Sequence, residues 1–140
     1  MIKIESEIVR VNCSTEKCFN LLLDMNNYHK LLPEDKMTEW EANKDYFYVK
    51  LVNVFSLDMI KQNAEPFLIN IKNGNRSAFK FKIKIILNKK DENTCNAQIK
   101  CTAKINPALK MMFKKPLNEL FNYMASRIEK VTLSDESLLN

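Results

Sequence analysis

Glycine is all but missing from this chain: Gly74 is the only one among 140 residues. Phosphate-cradling loops, the dinucleotide-binding fingerprint and the P-loop each need several glycines for close backbone approach, so all three are excluded. Proline is also scarce, which argues against long disordered linkers. His29 is the only histidine, and Cys13, Cys18, Cys95 and Cys101 include no Cys-x-x-Cys pair. A zinc site is hard to assemble from such a set, and no metal or cofactor is expected. Long apolar runs are absent too. No stretch approaches the ~20 residues of a membrane span. The opening Met1-Ile2-Lys3-Ile4-Glu5 is charged throughout, without the apolar core of a signal peptide. No membrane span and a cytoplasmic location are expected.

What is present belongs to an ordinary folded protein. Apolar residues make up 46% and charged residues 28%, enough for a core and a wet surface. The net charge is +5, which raises the question of an anionic partner. The lysines, however, are scattered and alternate with apolar residues, as in Lys80, Lys82 and Lys84, which places them on the solvated face of a strand. Only Lys89-Lys90 and Lys114-Lys115 form pairs, and neither is a nucleic-acid arm. No nucleic-acid partner is expected. Cys95 and Cys101 share parity with Ala97, Ile99 and Ala103, so they read as small, reduced core residues.

Residues 2–11 alternate as a half-buried strand, and the parity shift at Val9 and Val11 marks a bulge or bend. Ser14 then caps a helix whose positive end is met by Glu16. Cys18, Phe19, Leu22 and Leu23 share one of its faces. Asp24 interrupts it, and a second helical piece over Asn26–Leu31 ends before Pro33. Strands follow over Met37–Ala42, Tyr46–Leu51, Phe55–Gln62 and Phe67–Lys72, with a loosely placed break near Val52-Asn53-Val54. Asn73-Gly74 is the strongest hairpin signal, because both residues accept the positive φ of a type I′ turn. Phe79, Phe81, Ile83, Ile85 and Leu87 form one apolar strand face; Ala97, Ile99, Cys101, Ala103 and Ile105 form the next. Such strands suit a sheet covered on one side.

Asn106-Pro107 opens a final helix of some 25 residues, roughly 37 Å long. Its stripe is Leu109, Met112, Phe113, Leu117, Leu120, Phe121, Met124, Ile128 and Val131, interrupted by Pro116. The order is strand, two short helices, six strands and a long helix. It predicts an α+β fold in which an antiparallel sheet of about seven strands curls around the C-terminal helix, the only element large enough to fill it. Residues 1–133 are expected to form one domain and 134–140 a polar tail.

Three stretches carry a resemblance. They are Ser14-Thr15-Glu16-Lys17-Cys18-Phe19 after the first strand, Asn26–Leu32 with Pro33, and the last helix with Met111-Met112 and Lys115-Pro116-Leu117. Together they resemble the START/polyketide-cyclase (SRPBCC) superfamily, with the helix-grip fold of the birch pollen allergen, and in particular small bacterial members of unassigned function. The resemblance spans about residues 2–131, and its motifs are structural rather than chemical. It implies a cavity between sheet and helix, lined by Phe79, Phe81, Ile83, Ile85, Ile99, Cys101, Met112, Phe113, Leu120 and Met124. Methionine and phenylalanine suit adaptable apolar binding; the same side chains also serve simply to fill an interior.

Some members of the superfamily are cyclases, dehydratases or hydrolases, whose chemistry needs titratable groups inside the cavity. The available groups are His29, Tyr46, Tyr48, Glu39, Glu41, Asp58 and Arg76. His29 is placed to border a cavity mouth. Tyr46 and Tyr48 share a strand face whose direction the sequence leaves open against Phe47 and Val49. No serine or cysteine sits in a recognisable nucleophile setting, and no catalytic residue is assigned. The expectation is a non-enzymatic module for a small apolar or amphipathic ligand, acting as a monomer or weak homodimer. A cyclase or dehydratase, or an adaptor meeting a protein or anionic membrane through Lys110, Lys114 and Lys115, are the alternatives.

Overall fold

A computed structural model describes residues 1–52 and 56–134. The strand start expected at Phe55, the break at Asn53-Val54 and the tail beyond Ser134 lie outside the described residues.

The architecture is α+β. Strands β1 (Ile2–Glu5) and β2 (Val9–Val11) precede helix α1 (Thr15–Leu23) and 3-10 turns at Met25–Leu31 and Glu34–Lys36. Then come β3 (Met37–Asn43), β4 (Tyr46–Leu51), β5 (Ser56–Glu65), β6 (Leu68–Asn73), β7 (Lys80–Asp91) and β8 (Thr94–Lys104). A 3-10 turn at Pro107–Leu109 leads into helix α2 (Lys110–Ser134). The sheet has eight strands in the order β1-β8-β7-β6-β5-β4-β3, with β2 also paired to β8, all antiparallel. Of the bulge or bend expected in residues 2–11, the chain takes a bend: the stretch is two strands, β1 and β2, that share β8 as neighbour. Between them Ser6 turns inward, its hydroxyl accepting from the Ile99 amide at 2.9 Å.

Local chemistry accounts for the helices. Ser14 Oγ accepts from the Lys17 amide at 3.2 Å and starts α1; Asp24 ends it and accepts from the Asn26 amide, starting the 3-10 turn. Asn106 Oδ1 accepts from the Ala108 amide at 2.9 Å, so the expected cap is present, but it opens a 3-10 turn rather than α2 itself.

Helix α2 buries Leu117, Leu120, Phe121, Met124 and Ile128 against β1, β2, β8 and the Met25–Leu31 turn. It is tied on both flanks: the Glu7 amide donates to Asn122 Oδ1 at 2.8 Å, and Arg127 Nε donates to the Lys30 carbonyl at 3.2 Å. The apolar stripe does not reach the helix start. Leu109 is 43% exposed and Met112 68% exposed, whereas Phe113 beside them is half-buried and packs on Phe79.

One turn departs from expectation. Neither Asn73 nor Gly74 has a positive φ, so no type I′ turn forms, and the chain runs in a six-residue loop (74–79) from β6 to β7. The positive φ lies at Phe67, at 69°, in the turn after Pro66.

Candidate functional site

A cleft of about 200 Å³ lies between α2 and the end of β4, lined by Pro33, Lys36, Leu51, Pro116, Glu119, Leu120 and Tyr123. Its floor is apolar: Leu51 and Leu120 are core residues that remain only 4% and 6% exposed. Its rim is polar, with Lys36 and Glu119 exposed on opposite sides. Lys36 is fixed by the sheet, since the Val52 amide donates to its carbonyl at 2.8 Å. Pro116, which lines the cleft from inside α2, lacks the N–H that an ordinary helical residue donates four positions back. An apolar floor with one cation and one anion at the rim can take a small molecule with an apolar body and a polar end.

The strand whose direction was open is settled by its partners. Trp40 stacks on Phe47 at 5.1 Å between ring centroids, and Tyr28 packs on Phe47 at 5.6 Å. Phe47, Val49 and Leu51 therefore face the core, and Tyr46 and Tyr48 face outward. On that outer face the loop from β6 to β7 folds back over the sheet and gathers five of the polar candidates. Asp58, 3% exposed, accepts from the Gly74 and Arg76 amides at 3.0 Å each and from Ser77 Oγ at 2.6 Å. The Arg76 guanidinium lies 3.7 Å from the Tyr48 ring centroid and donates to the Tyr46 hydroxyl at 2.6 Å and to Glu41 at 2.9 Å. Those two partners, Tyr46 first, hold Arg76 more firmly protonated than an isolated guanidinium. Tyr46, Tyr48, Glu41, Asp58 and Arg76 thus satisfy one another outside the fold's interior. Glu39 pairs across from Lys50 on the same exposed side. His29 is exposed on the Met25–Leu31 turn, 5.8 Å from the Trp40 ring and with Nδ1 2.8 Å from the Asn26 carbonyl.

The residues expected to line a cavity separate into three groups. Phe81, Ile83, Ile85, Ile99, Cys101, Leu120 and Met124 are buried in one packed cluster. Phe79 and Phe113 are half-buried against it, their rings 5.4 Å apart. Met112 stands in solvent, 68% exposed, and so does not line an enclosed interior. Sequence reasoning missed Pro33, Lys36, Leu51, Glu119 and Tyr123 of the cleft. Pro33 and Pro116 were legible as helix punctuation, but nothing in their spacing shows that they meet.

All four cysteines are buried and reduced. The Cys18 thiol, hydrogen-bonded to Cys95 and held away from water, is pushed well above its ordinary range, and burial pushes Cys101 up to about 12. Thiols held protonated in this way, Cys18 and Cys101, serve as packing groups rather than nucleophiles, whereas the hydrogen bond with Cys18 lowers the Cys95 thiol. Among the described residues no group of three or more His, Cys, Asp or Glu could hold a metal ion, and no helix is long and apolar enough to cross a membrane.

No protein-family model matches the chain, and no curated protein sequence does. Solved structures match closely in shape. The protein XoxI from Bacillus cereus superposes with a TM-score of 0.76 at 10% identity, over 97% of this chain and 99% of that one. An uncharacterized protein from Bacillus thuringiensis gives 0.74 at 10% identity, over 95% and 100%. Norcoclaurine synthase from Thalictrum flavum, in complex with dopamine and hydroxybenzaldehyde, gives 0.72 at 14% identity, over 96% and 87%. The chain has the helix-grip fold, the architecture of the birch pollen allergen. At such identities the likeness extends to the fold alone.

Proposed function

We propose that the protein is a non-enzymatic binding module of the START/polyketide-cyclase type, taking a small apolar or amphipathic ligand between its sheet and its C-terminal helix. The observation that carries this is the cleft beside Pro116, where two core leucines, Leu51 and Leu120, form the floor beneath a rim of Lys36 and Glu119. At about 200 Å³ the cleft is smaller than most ligand pockets, so it would take a small ligand, or the end of a larger one that reaches into the core by displacing Leu120 and its neighbours. That norcoclaurine synthase holds two small molecules on the same fold adds support by analogy. Residues 1–133 act as one unit in this proposal, as a monomer or weak homodimer in the cytoplasm.

A cyclase- or dehydratase-type activity has less behind it. Such chemistry needs at least two polar groups converging on a substrate. Tyr46, Tyr48, Glu41, Asp58 and Arg76 meet on the outer face and are engaged with one another.

Native mass spectrometry of the purified protein, followed by organic extraction, tests the proposal. The expected result is a co-purifying apolar or amphipathic species of defined mass, depleted in Leu120→Trp, which fills the floor of the cleft. A clean protein mass, together with no fluorescence enhancement of anilinonaphthalene sulfonate by the native protein, would overturn it.

A further inference from the structure

Three apolar side chains stand in water around the start of α2. Met111 is 90% exposed, Met112 68% and Leu109 43%. They fall within four consecutive residues at one end of the molecule, flanking Lys110 and just ahead of Lys114 and Lys115, all exposed. Exposed apolar groups cost hydration free energy, and a single one needs no explanation; three together within one turn do. The charges are unusual for a second reason. The N-terminal end of a helix dipole favours acids, yet the first turn of α2 has none and lysines stand where acids are favoured.

The adjoining end of the sheet repeats the pattern. Lys80 opens β7 directly opposite Lys104, which closes β8, and Lys72 on β6 is directly opposite Lys82 on β7. Like charges facing each other across strands are destabilising, and among the described residues none of these four forms an ion pair. Phe79, next to Lys80, packs on Phe113 of α2, which joins the lysine-bearing sheet end to the methionine-bearing helix start. Lysines that look scattered along the sequence are contiguous here because alternation on neighbouring antiparallel strands brings them together.

From this geometry we infer that this end of the molecule docks on an anionic lipid surface, with Leu109, Met111 and Met112 entering the headgroup boundary and the surrounding lysines meeting acidic headgroups. An anionic bilayer offers both an apolar layer and negative charge, the two features that this end combines. A nucleic acid offers phosphate but no apolar layer for two solvent-standing methionines, and its single-stranded form is bound through exposed aromatic stacking platforms, whereas Phe79 and Phe113 are engaged with each other. A second copy of this end would bring lysine against lysine. The inference does not rest on the interior taking a ligand.

Co-sedimentation of the full chain with phosphatidylcholine vesicles, with and without phosphatidylglycerol, tests it. Binding is expected only with phosphatidylglycerol, and should weaken as salt rises. Met111→Asp/Met112→Asp and Lys114→Glu/Lys115→Glu should each weaken it more than about tenfold while leaving the thermal midpoint close to the parent's, since all four side chains are exposed. No binding to either vesicle overturns the inference. So does binding that both double variants retain, which would place the contact elsewhere. Equal affinity for duplex DNA, indifferent to the methionine change, would make the face a nucleic-acid surface instead, and a dimer abolished by Met111→Asp would make it a self-association surface.

Discussion

Gly74 lies against the carboxylate of Asp58: a Cβ built on it would stand 2.7 Å from Asp58 Cγ and 3.0 Å from Oδ1. The only glycine in the chain is thus required for space rather than for a left-handed backbone. The carboxylate cannot step aside, because two amides and the Ser77 hydroxyl hold it in place. This contact folds the 74–79 loop over the outer sheet and brings Arg76 above Tyr48.

Gly74→Ala should therefore destabilise the protein by about 1–3 kcal/mol through overpacking. Asp58→Ala should cost a similar amount by orphaning buried donors. Because each change removes the reason for the other's cost, the double variant should fall short of the sum by more than about 0.5 kcal/mol. Urea denaturation of the four proteins closes the cycle. An additive result would show that the two residues do not share the constraint described.

Much of the fold is legible in the sequence because its signals are local and repeated. The parity of Phe81, Ile83, Ile85 and Leu87, and of Cys95 through Ala103, reads directly as one buried face, and both strands sit as that parity requires. Ser14 and Asn106 each cap through the side chain expected of them. What is not legible depends on tertiary contact. Both faces of β4 are buried near Tyr48, one by Trp40 and Tyr28 and the other by Arg76, so alternation gives no answer there. Met112 fits the helical stripe by spacing, yet spacing cannot reveal that it is left in water while its neighbour Phe113 packs on Phe79. The cleft joins residues from 33 to 123, a separation at which no periodicity speaks.

Leu120 and Phe121 are adjacent on α2 but occupy different surroundings. Phe121 is 1% exposed within the core, whereas Leu120 forms the cleft floor at 6%. Phe121→Ala leaves an enclosed void and should cost about 3–5 kcal/mol. Leu120→Ala opens onto a cleft that water already reaches, so its cost should fall near the lower end of the range for such truncations, about 2 kcal/mol. Chemical denaturation of both variants checks the order. A smaller loss for Phe121→Ala than for Leu120→Ala would mean that the helix face is rotated from the one described.

Alkaline pH should unfold the protein through groups that contribute nothing near neutrality. Burial raises the Cys101 thiol from an ordinary 9.0 to about 12; Cys18, through Cys95 and burial, and Tyr28, through burial, are raised as well. Each group keeps its proton in the folded state at a pH where the unfolded chain has released it. The folded state therefore binds more protons there, and stability falls as pH rises. The sign follows: the Cys101 contribution is fully present below about pH 9 and is lost at up to about 1.4 kcal/mol per pH unit until about pH 12, while Cys95, lowered by its hydrogen bond to Cys18, offsets part of the Cys18 share. Urea midpoints measured from neutral to strongly alkaline pH should be flat at first and then decline. Cys101→Ala should lower the slope of the decline without abolishing it, since Cys18 and Tyr28 remain. An unchanged slope in that variant would mean that water reaches the Cys101 sulfur in the folded protein.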